Sequence, residues 1–441
     1  MLHLPQQVHT ALSLLTAAGF EAYLVGGCVR DALLGRTPQD YDIATNALPD
    51  EVAAVFCDHR VIETGLKHGK VTVLLDDLPI EITTYRVDLG YSDGRHPDRV
   101  AFTPNLRDDL ARRDFTVNAM AYHPERGLVD CFGGQADLAA GLLRCVGEPE
   151  TRFSEDALRI LRLLRFAVKL GFSVEERTAA AALALRDTLR KVSAERIQKE
   201  LTSLLLGAHA GEILVQYADI FGVFLPELLV CRNFLQHNPH HRYDVLTHLA
   251  KAVDASPNDP VLRLAALLHD IGKPDCFTMD ENGVGHFYAH ADRSAALAEQ
   301  ILTRLRYDNE TKRQVVVLVA AHDRLIEPNE RSVKRALNRL KPALFFKLLA
   351  LKRADCIGQG LTHPERLESY DRIEMIAKRL LSEEACFSLR DLAVSGDDLL
   401  RAGVPQGKQV GQTLRMLLDA VIDGSVANEK TVLLTYLNQN K

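Results

Sequence analysis

A chain of 441 residues outgrows a single hydrophobic core, so roughly two to four domains are expected. Its 47% apolar and 25% charged residues are those of an ordinary soluble protein, and a formal net charge of −6 leaves any nucleic-acid contact to local basic patches. The densest apolar run, Val315–Ala321, falls far short of the roughly 20 residues that cross a bilayer, so no membrane contact is expected.

The opening residues carry no basic stretch followed by an apolar one, so no secretory signal is expected. Eight cysteines are scattered singly without C-x-x-C, the usage of reduced thiols in the cytoplasm rather than of a zinc knuckle or a disulfide frame.

In chain order, residues 5–19 read as an amphipathic helix closed by Gly19. Ala22–Val25 is a short strand ending in Gly26-Gly27, where the missing Cβ lets backbone N–H groups approach an anion. Val29–Leu34 is helical and puts Arg30 on its first turn, and Gly35 and Pro38 end it. Asp40-Tyr-Asp42 opens a second strand, so the two carboxylates share a face. Such a pair repels unless a cation lies between, and Mg2+ completed by phosphate oxygens suits it. Either feature alone is common, the acid pair being more often a solvated strand end. A phosphate cradle, an arginine and a carboxylate pair within residues 24–42 together describe a nucleotidyl-transfer site.

Leu48–Phe56 is a helix, and 70–75 with 80–85 a hairpin turning at 76–79. Glu81 is a third carboxylate if its strand lies beside Asp40 and Asp42, and otherwise a solvated strand residue. Residues 86–100 read as a loop over the site, with charged Asp93, Arg95 and Asp98. Arg112-Arg113-Asp114 suits phosphate or ribose, or else a surface ion cluster. The Gly-Gly turn within Leu128–Leu138 ends the head.

Beyond about 139 the strand signals cease. Ser154 caps a long helix carrying Glu155, Asp156, Arg159, Arg162 and Arg165 at spacings of three and four. The stripe is either surface ion pairing or a reader of nucleotides. Another helix covers Ser193–Leu206, with Arg196 near its start. A second constellation comprises His248, His269, Asp270 and Asp355, with His286, His290 and His322-Asp323 nearby. Buried carboxylates need partners, so either a His–Asp core pair or a divalent metal is expected; mixed His/Asp ligands suit Mn2+, Ni2+, Co2+, Fe2+ or Zn2+. Beyond 325 the chain is helical. Its basic clusters (Arg331, Lys334, Arg335, Arg339, Lys341; Lys347, Lys352, Arg353) are solvated faces or grips on RNA backbone.

LVGGCVRD with DYD, RRDFTVNAM, LVDCFGG, EDALRILRLLR and SAERIQKE, in that order, resemble the five motifs of the class II tRNA nucleotidyltransferases, the CCA-adding relatives of bacterial poly(A) polymerase. The resemblance implies Asp40 and Asp42 on two Mg2+ ions, with Gly27 and Arg30 at the nucleotide and Arg113 and Asp114 at the ribose. It also implies Glu155, Asp156, Arg159, Arg162 and Arg165 at the base. Segment 248–355 separately resembles an HD phosphohydrolase domain.

The expected fold is α+β. A nucleotidyltransferase head of mixed sheet and helices (1–138) precedes an all-α neck (139–235), an HD domain (236–360) and a helical tail (361–441). The expected partners are tRNA, CTP and ATP, with no obligate protein partner. A carboxylate at Asp156 facing an exocyclic amine accepts cytosine and adenine and rejects uracil and guanine, which present a carbonyl there. The readings that compete are a poly(A) polymerase or an A-only or CC-only enzyme, and a phosphohydrolase with a nucleotide-binding head.

Overall fold

Segments of alternating or β-branched residues in the first 130 positions gather into one sheet. The computed structural model describes residues 2–65, 69–89, 99–239, 241–361, 363–383 and 385–439. They divide into two compact units, Met1–Pro226 and Glu227–Lys441.

The strands of the first unit are β1 (Ala22–Val25), β2 (Tyr41–Thr45), β3 (Arg60–Gly65), β4 (Lys70–Leu75), β5 (Leu78–Thr84), β6 (Arg86–Leu89), β7 (Arg99–Phe102), β8 (Met120–His123) and β9 (Gly127–Asp130). Seven of them form a sheet ordered β3-β4-β5-β2-β1-β8-β9. β2 and β5 are parallel, and their register sets Asp42 directly opposite Glu81. The hairpin between β4 and β5 turns on two residues, Asp76 and Asp77, with φ of 46° and 64°. Two positive φ values match the twist of the flanking strands, and aspartate tolerates them.

Around the sheet lie α1 (Gln6–Ala17), α2 (Gly27–Leu33), α3 (Pro49–Val55), α4 (Leu106–Ala111) and α5 (Gly134–Ala140). Leu12 and Leu15 of α1 share one core with Ile43, Val73, Ile80 and Ile82 of the sheet. Each such buried side chain contributes about 1.5–3 kcal/mol. The expected loop over 86–100 proves to be stranded at both edges, because Arg86–Leu89 and Arg99–Phe102 pair with each other as β6 and β7. Residues 90–98, with Asp93, Arg95 and Asp98, lie outside the described residues.

Next come β10 (Leu142–Leu143), α6 (Pro149–Glu155), α7 (Leu158–Leu170), β11 (Ser173–Val174), α8 (Glu176–Ala184), α9 (Ala194–Leu205), α10 (Ala210–Gln216) and α11 (Ala218–Phe221). The two-residue strands β10 and β11 pair in parallel, so pairing does not cease at 139. Nor does Ser154 cap a long helix. Pro149 starts α6 from its first position, and the chain breaks at Asp156, whose φ of −140° and ψ of 103° are extended. Asp156 then caps the new helix by accepting the Leu158 N–H at 3.0 Å. On α7, Ile160, Leu161, Leu163, Leu164 and Ala167 are buried, leaving Arg159, Arg162 and Arg165 on another face.

The second unit holds α12 (Pro226–Cys231), α13 (Val245–Ala255), α14 (Pro260–Leu268), β12 (Phe277–Met279), β13 (Gly285–Phe287), α15 (His290–Arg304), α16 (Asn309–Ala321), α17 (Glu330–Gly358), α18 (Pro364–Ser382), α19 (Gly396–Arg401), α20 (Lys408–Ile422) and α21 (Lys430–Gln439). Several start where an acid or amide accepts a free N–H: Asp244 from Thr247, Asp259 from Leu262, Asp308 from Thr311 and Asn329 from Ser332. Within α17 the backbone departs from helix at Lys341, just before Pro342, whose ring disfavours the helical conformation in its predecessor. Leu399, Leu417, Leu418 and Leu433 belong to a separate small core.

Candidate functional site

A cleft of about 630 Å³ in the first unit is bordered by the ends of β1 and β2, by α2 and by α7. Its walls carry nine basic side chains (Arg30, Arg36, Arg112, Arg113, Arg159, Arg162, Arg165, Lys169 and Arg196) against five acids (Asp31, Asp40, Asp42, Asp114 and Asp156). That excess fits a polyanion larger than one phosphate.

The carboxylates gather at one end. Asp40 immediately precedes β2 and is exposed, while Asp42 within β2 is half-buried. Glu81 stands beside Asp42 across the parallel pairing, as the sequence reading required of it. It does not border the cleft itself, and Lys70 pairs with it. Burial and the charges of Glu81 and Asp40 push the Asp42 carboxyl up to about 6, against the opposing pull of Arg113. These three groups supply hard oxygen donors whose mutual repulsion a divalent cation would relieve.

The glycine that the local geometry demands is Gly26. Its φ is +77°, and a Cβ there would lie 2.9 Å from Arg113 Nη1. A Cβ on Gly27 would meet nothing closer than 3.5 Å. The Gly26 N–H is donated to the Met120 carbonyl at 3.4 Å, so it is not free for an anion.

A chain of side chains then crosses the cleft floor. Arg30, buried, donates Nη1 to Asn118 Oδ1 at 2.6 Å. Asn118 Nδ2 donates to Asp114 Oδ1 at 3.0 Å, and Arg162 donates Nε and Nη2 to Asp114 Oδ2 at 2.9 and 2.7 Å. Burial raises the Asp114 carboxyl, but the Arg162 charge and the Asn118 and Arg162 hydrogen bonds outweigh it and hold it at about 2. Phe166 sits under three guanidinium carbons, those of Arg165, Arg30 and Arg162, at 4.3, 5.1 and 5.4 Å from its ring centre.

The remaining expected residues divide. Asp156 Oδ2 accepts from Arg196 Nη2 at 2.7 Å, at the cleft wall. Arg159 borders the cleft but donates to the Arg152 and Arg112 carbonyls and to Glu155. Glu155 itself ends α6 outside the cleft. Asn118, Phe166, Arg36 and Lys169 escaped the sequence reading. Phe166 and Lys169 left a signal there, four residues after Arg162 and Arg165 on the same helix, while Asn118 lies within the RRDFTVNAM stretch and Arg36 within residues 24–42.

In the second unit, His248 of α13, His269 and Asp270 after α14, and Asp355 of α17 converge, with one donor atom from each within 4.8 Å of the others. His248 Nε2 is 3.0 Å from Asp270 Oδ2 and 3.3 Å from Asp355 Oδ1. Burial opposes ionisation of both acids, yet Lys273 and His269 beside Asp270, and His248 and His269 beside Asp355, keep both well below the usual carboxylate range. His286 lies apart, paired with Asp280, and Asp323 is exposed.

The basic clusters beyond 325 are largely occupied within the unit. Arg331 and Arg335 pair with Asp423, Lys347 with Asp259, and Arg353 with Asp371 and Glu374, while Lys352 is buried against the His322 carbonyl. As grips on RNA these five are already engaged.

The chain matches three sequence families: "Poly A polymerase head domain" over 22–144, "Probable RNA and SrmB- binding site of polymerase A" over 171–231, and tRNA nucleotidyltransferase domain 2 over 278–437. It is 34% identical to a CCA-adding enzyme of Lactobacillus delbrueckii subsp. bulgaricus, covering 98% of this chain and 97% of that one. To a CCA-adding enzyme of Leuconostoc mesenteroides it is 33% identical, over 98% and 96%. Among solved structures, the Bacillus stearothermophilus CCA-adding enzyme in complex with CTP is similar at a TM-score of 0.75 and 28% identity, covering 99% of this chain and 97% of that one.

Proposed function

The chain belongs to the CCA-adding enzyme family, and from that premise we propose that it adds C, C and A to the 3′ end of tRNA without a nucleic-acid template. It takes CTP and ATP and releases pyrophosphate. The observation that carries this reading is the cleft that joins an acid cluster to an arginine-rich wall.

Asp40, Asp42 and Glu81 fit Mg2+, since all donors are carboxylate oxygens and Asp42 is crowded by two like charges. Two Mg2+ ions held there would acidify the attacking 3′-hydroxyl and neutralise the departing pyrophosphate. Arg30, Arg36 and Arg113 bind the triphosphate. Asp114, held by Arg162 and Asn118, orients the ribose. Asp156, with Arg196 on its other oxygen and Arg159 nearby, reads the base edge: cytosine and adenine both present an amine there. Positioning and charge supply the catalysis, with no covalent intermediate.

Incubating the protein with tRNA ending at the discriminator base, plus Mg2+ and CTP, ATP or both, and sequencing the 3′ ends tests this. Addition of CCA with both nucleotides is expected; runs of A would favour the poly(A) polymerase reading, and no extension would refute both.

A second activity is assigned to the cluster of His248, His269, Asp270 and Asp355, as a divalent-metal site (Mn2+, Ni2+, Co2+, Fe2+ or Zn2+) that hydrolyses phosphate esters. The convergence of their four donor atoms favours it. We divide the chain into head 1–138, neck 139–235, HD domain 236–360 and tail 361–441. The separate small core of 386–437 sets the end of the tail apart, while α18 at its start pairs with Arg353 of α17 through Asp371 and Glu374. A cytoplasmic location accords with eight unpaired cysteines.

A further inference from the structure

Phe166 stands where three cations meet. The guanidinium carbons of Arg165, Arg30 and Arg162 lie 4.3, 5.1 and 5.4 Å from its ring centre. Two of these arginines come from successive turns of α7 and the third from α2. All three border the cleft, as does the ring itself. The ring is 6% exposed and is held edge-on by the buried Phe115, with centroids 5.9 Å apart at an interplanar angle of 80°.

Like charges gathered around one point repel, so something must hold them there. Each arginine has its own acid: Arg30 has Asp31, Arg162 has Asp114, and Arg165 has Glu200 of α9. Those acids tie their partners to different parts of the fold. Asn118 links Arg30 to Asp114 and so to Arg162, but no hydrogen bond among the described residues joins Arg165 to that chain. The Phe166 ring is the contact that all three share. Its face carries the negative end of the aromatic quadrupole and attracts cations, most strongly where water is excluded. A leucine would fill the same space without that face.

The same geometry indicates which part of a nucleotide the three serve. Arg165 donates only Nε, to Glu200 at 2.6 Å, and its two amino groups have no hydrogen-bond partner among the described residues. An outer edge left open in this way matches two oxygens of one phosphate. Phe166 also lies about 15 Å farther along the helix direction than Asp156. Arg162, which holds the ribose-orienting Asp114, lies between them. Base, sugar and phosphate thus follow one another along α7, with the ring at the phosphate end. Arg30 agrees with this order: α2 begins beside Gly26, whose Cβ position lies 4.0 Å from Asp42 Oδ2.

We propose that Phe166 is a positioning residue for the polyphosphate of the incoming nucleotide, its ring gathering Arg30, Arg162 and Arg165 into one seat. This deepens the nucleotidyl-transfer reading above and rests on it. The seat lies away from the base, so the ring acts equally on CTP and ATP and leaves base selection to Asp156.

The test places mono-, di- and trifluorophenylalanine at position 166 of the full chain by nonsense suppression. Fluorine drains the face of the ring stepwise while nearly preserving its size. Kd for CTP, ATP and inorganic pyrophosphate is read by calorimetry with Mg2+ present, and the thermal midpoint checks folding. Affinity for all three is expected to fall about twofold with each fluorine, by the same factor for CTP and ATP. Phe166→Leu should weaken all three about tenfold, with discrimination against UTP unchanged. A flat fluorine series overturns the proposal and leaves the nucleotidyl-transfer reading standing. Weakened CTP with unchanged pyrophosphate puts the ring at the nucleoside end and overturns it too. A parent that binds none of the three overturns both readings. The fluorinated series decides even if Phe166→Leu fails to fold.

Discussion

The cleft of the first unit and the histidine cluster of the second are both built from charged side chains, yet their charges are arranged in opposite ways. In the cleft, each of several guanidiniums already rests on a carboxylate: Arg30 on Asp31, Arg162 on Asp114, Arg165 on Glu200, Arg196 on Asp156. In the cluster, ring nitrogens face one another, His248 against His269 at 3.0 Å and His290 against His322 at 3.2 Å, around the carboxylate of Asp270. A nucleotide arrives and leaves many times, so its arginines must keep their places when it is gone, and the acids hold them. A resident cation need not leave, and donors that converge on it can be left incomplete without it. Paired charges therefore suit a transient anion, and donors that converge on one point suit a cation.

The largest effect that separates the two regions should come from Asp42→Asn. The change keeps shape and removes one charge from the acid cluster. Extension of tRNA, followed by sequencing of 3′ ends, is expected to slow by on the order of a hundred- to a thousandfold. Hydrolysis of p-nitrophenyl phosphate by the same variant should stay at its parent value. An equal fall in both activities would mean that the two regions are not chemically separate.

The paired-charge half of the comparison can be probed by pH. The Asp114 carboxyl sits at about 2 in the folded chain, below its ordinary 3.8. A group lowered on folding contributes stability that is complete above the ordinary value and disappears as pH falls through the folded one. Its contribution is on the order of 2 kcal/mol, present above about pH 4 and lost toward pH 2. Urea midpoints of the parent and of Asp114→Asn should therefore differ most at neutral pH and converge on acidification. A gap that stays constant down to pH 3 would show that Asp114 acts only through packing.

Much of the head was legible because its signals are local. The strand before Gly26-Gly27, the turn at Asp76-Asp77 and the acids at 40 and 42 each announce themselves within a few residues. What was not legible depends on distant partners. Glu81 gained its place only from the parallel register of β2 and β5. Arg331, Arg335 and Arg353 resembled RNA grips because their partners Asp423, Asp371 and Glu374 are far off in sequence. The break at Asp156 was hidden by competing caps: Ser154 precedes two acids and a good helix, but Pro149 had already begun one, and Asp156 caps the next. Strands β6 and β7 were masked by the polar stretch between them.

A smaller change tests how closely the cleft's parts fit. Gly26→Ala places a methyl 2.9 Å from Arg113 Nη1 at a φ of +77°. With ψ at −134° this positive-φ backbone belongs to a region essentially confined to glycine and costs about 1–3 kcal/mol for a residue with a Cβ, and Arg113 must shift. A lowered thermal midpoint with a raised KM for CTP is expected. Gly27→Ala, which meets only an ordinary contact at 3.5 Å, should leave KM nearly unchanged, and equal effects at both positions would deny Gly26 its special place.

The finest distinction concerns what the paired charges do once a nucleotide is present. Asp156 has one oxygen on the Leu158 N–H and the other on Arg196, so it is held in place before any base enters. Asp156→Ala removes the acceptor for the exocyclic amine and also frees Arg196. Discrimination of CTP and ATP against UTP and GTP is expected to fall about fivefold, or ~1 kcal/mol, with Mg2+ dependence nearly unaltered. Arg196→Ala should loosen selection in the same direction, because the carboxylate it steadies would then swing. If Asp156→Ala instead raises the Mg2+ requirement and leaves base preference intact, the acid serves the triphosphate end of the cleft. The pairing with Arg196 would then be mere scaffolding.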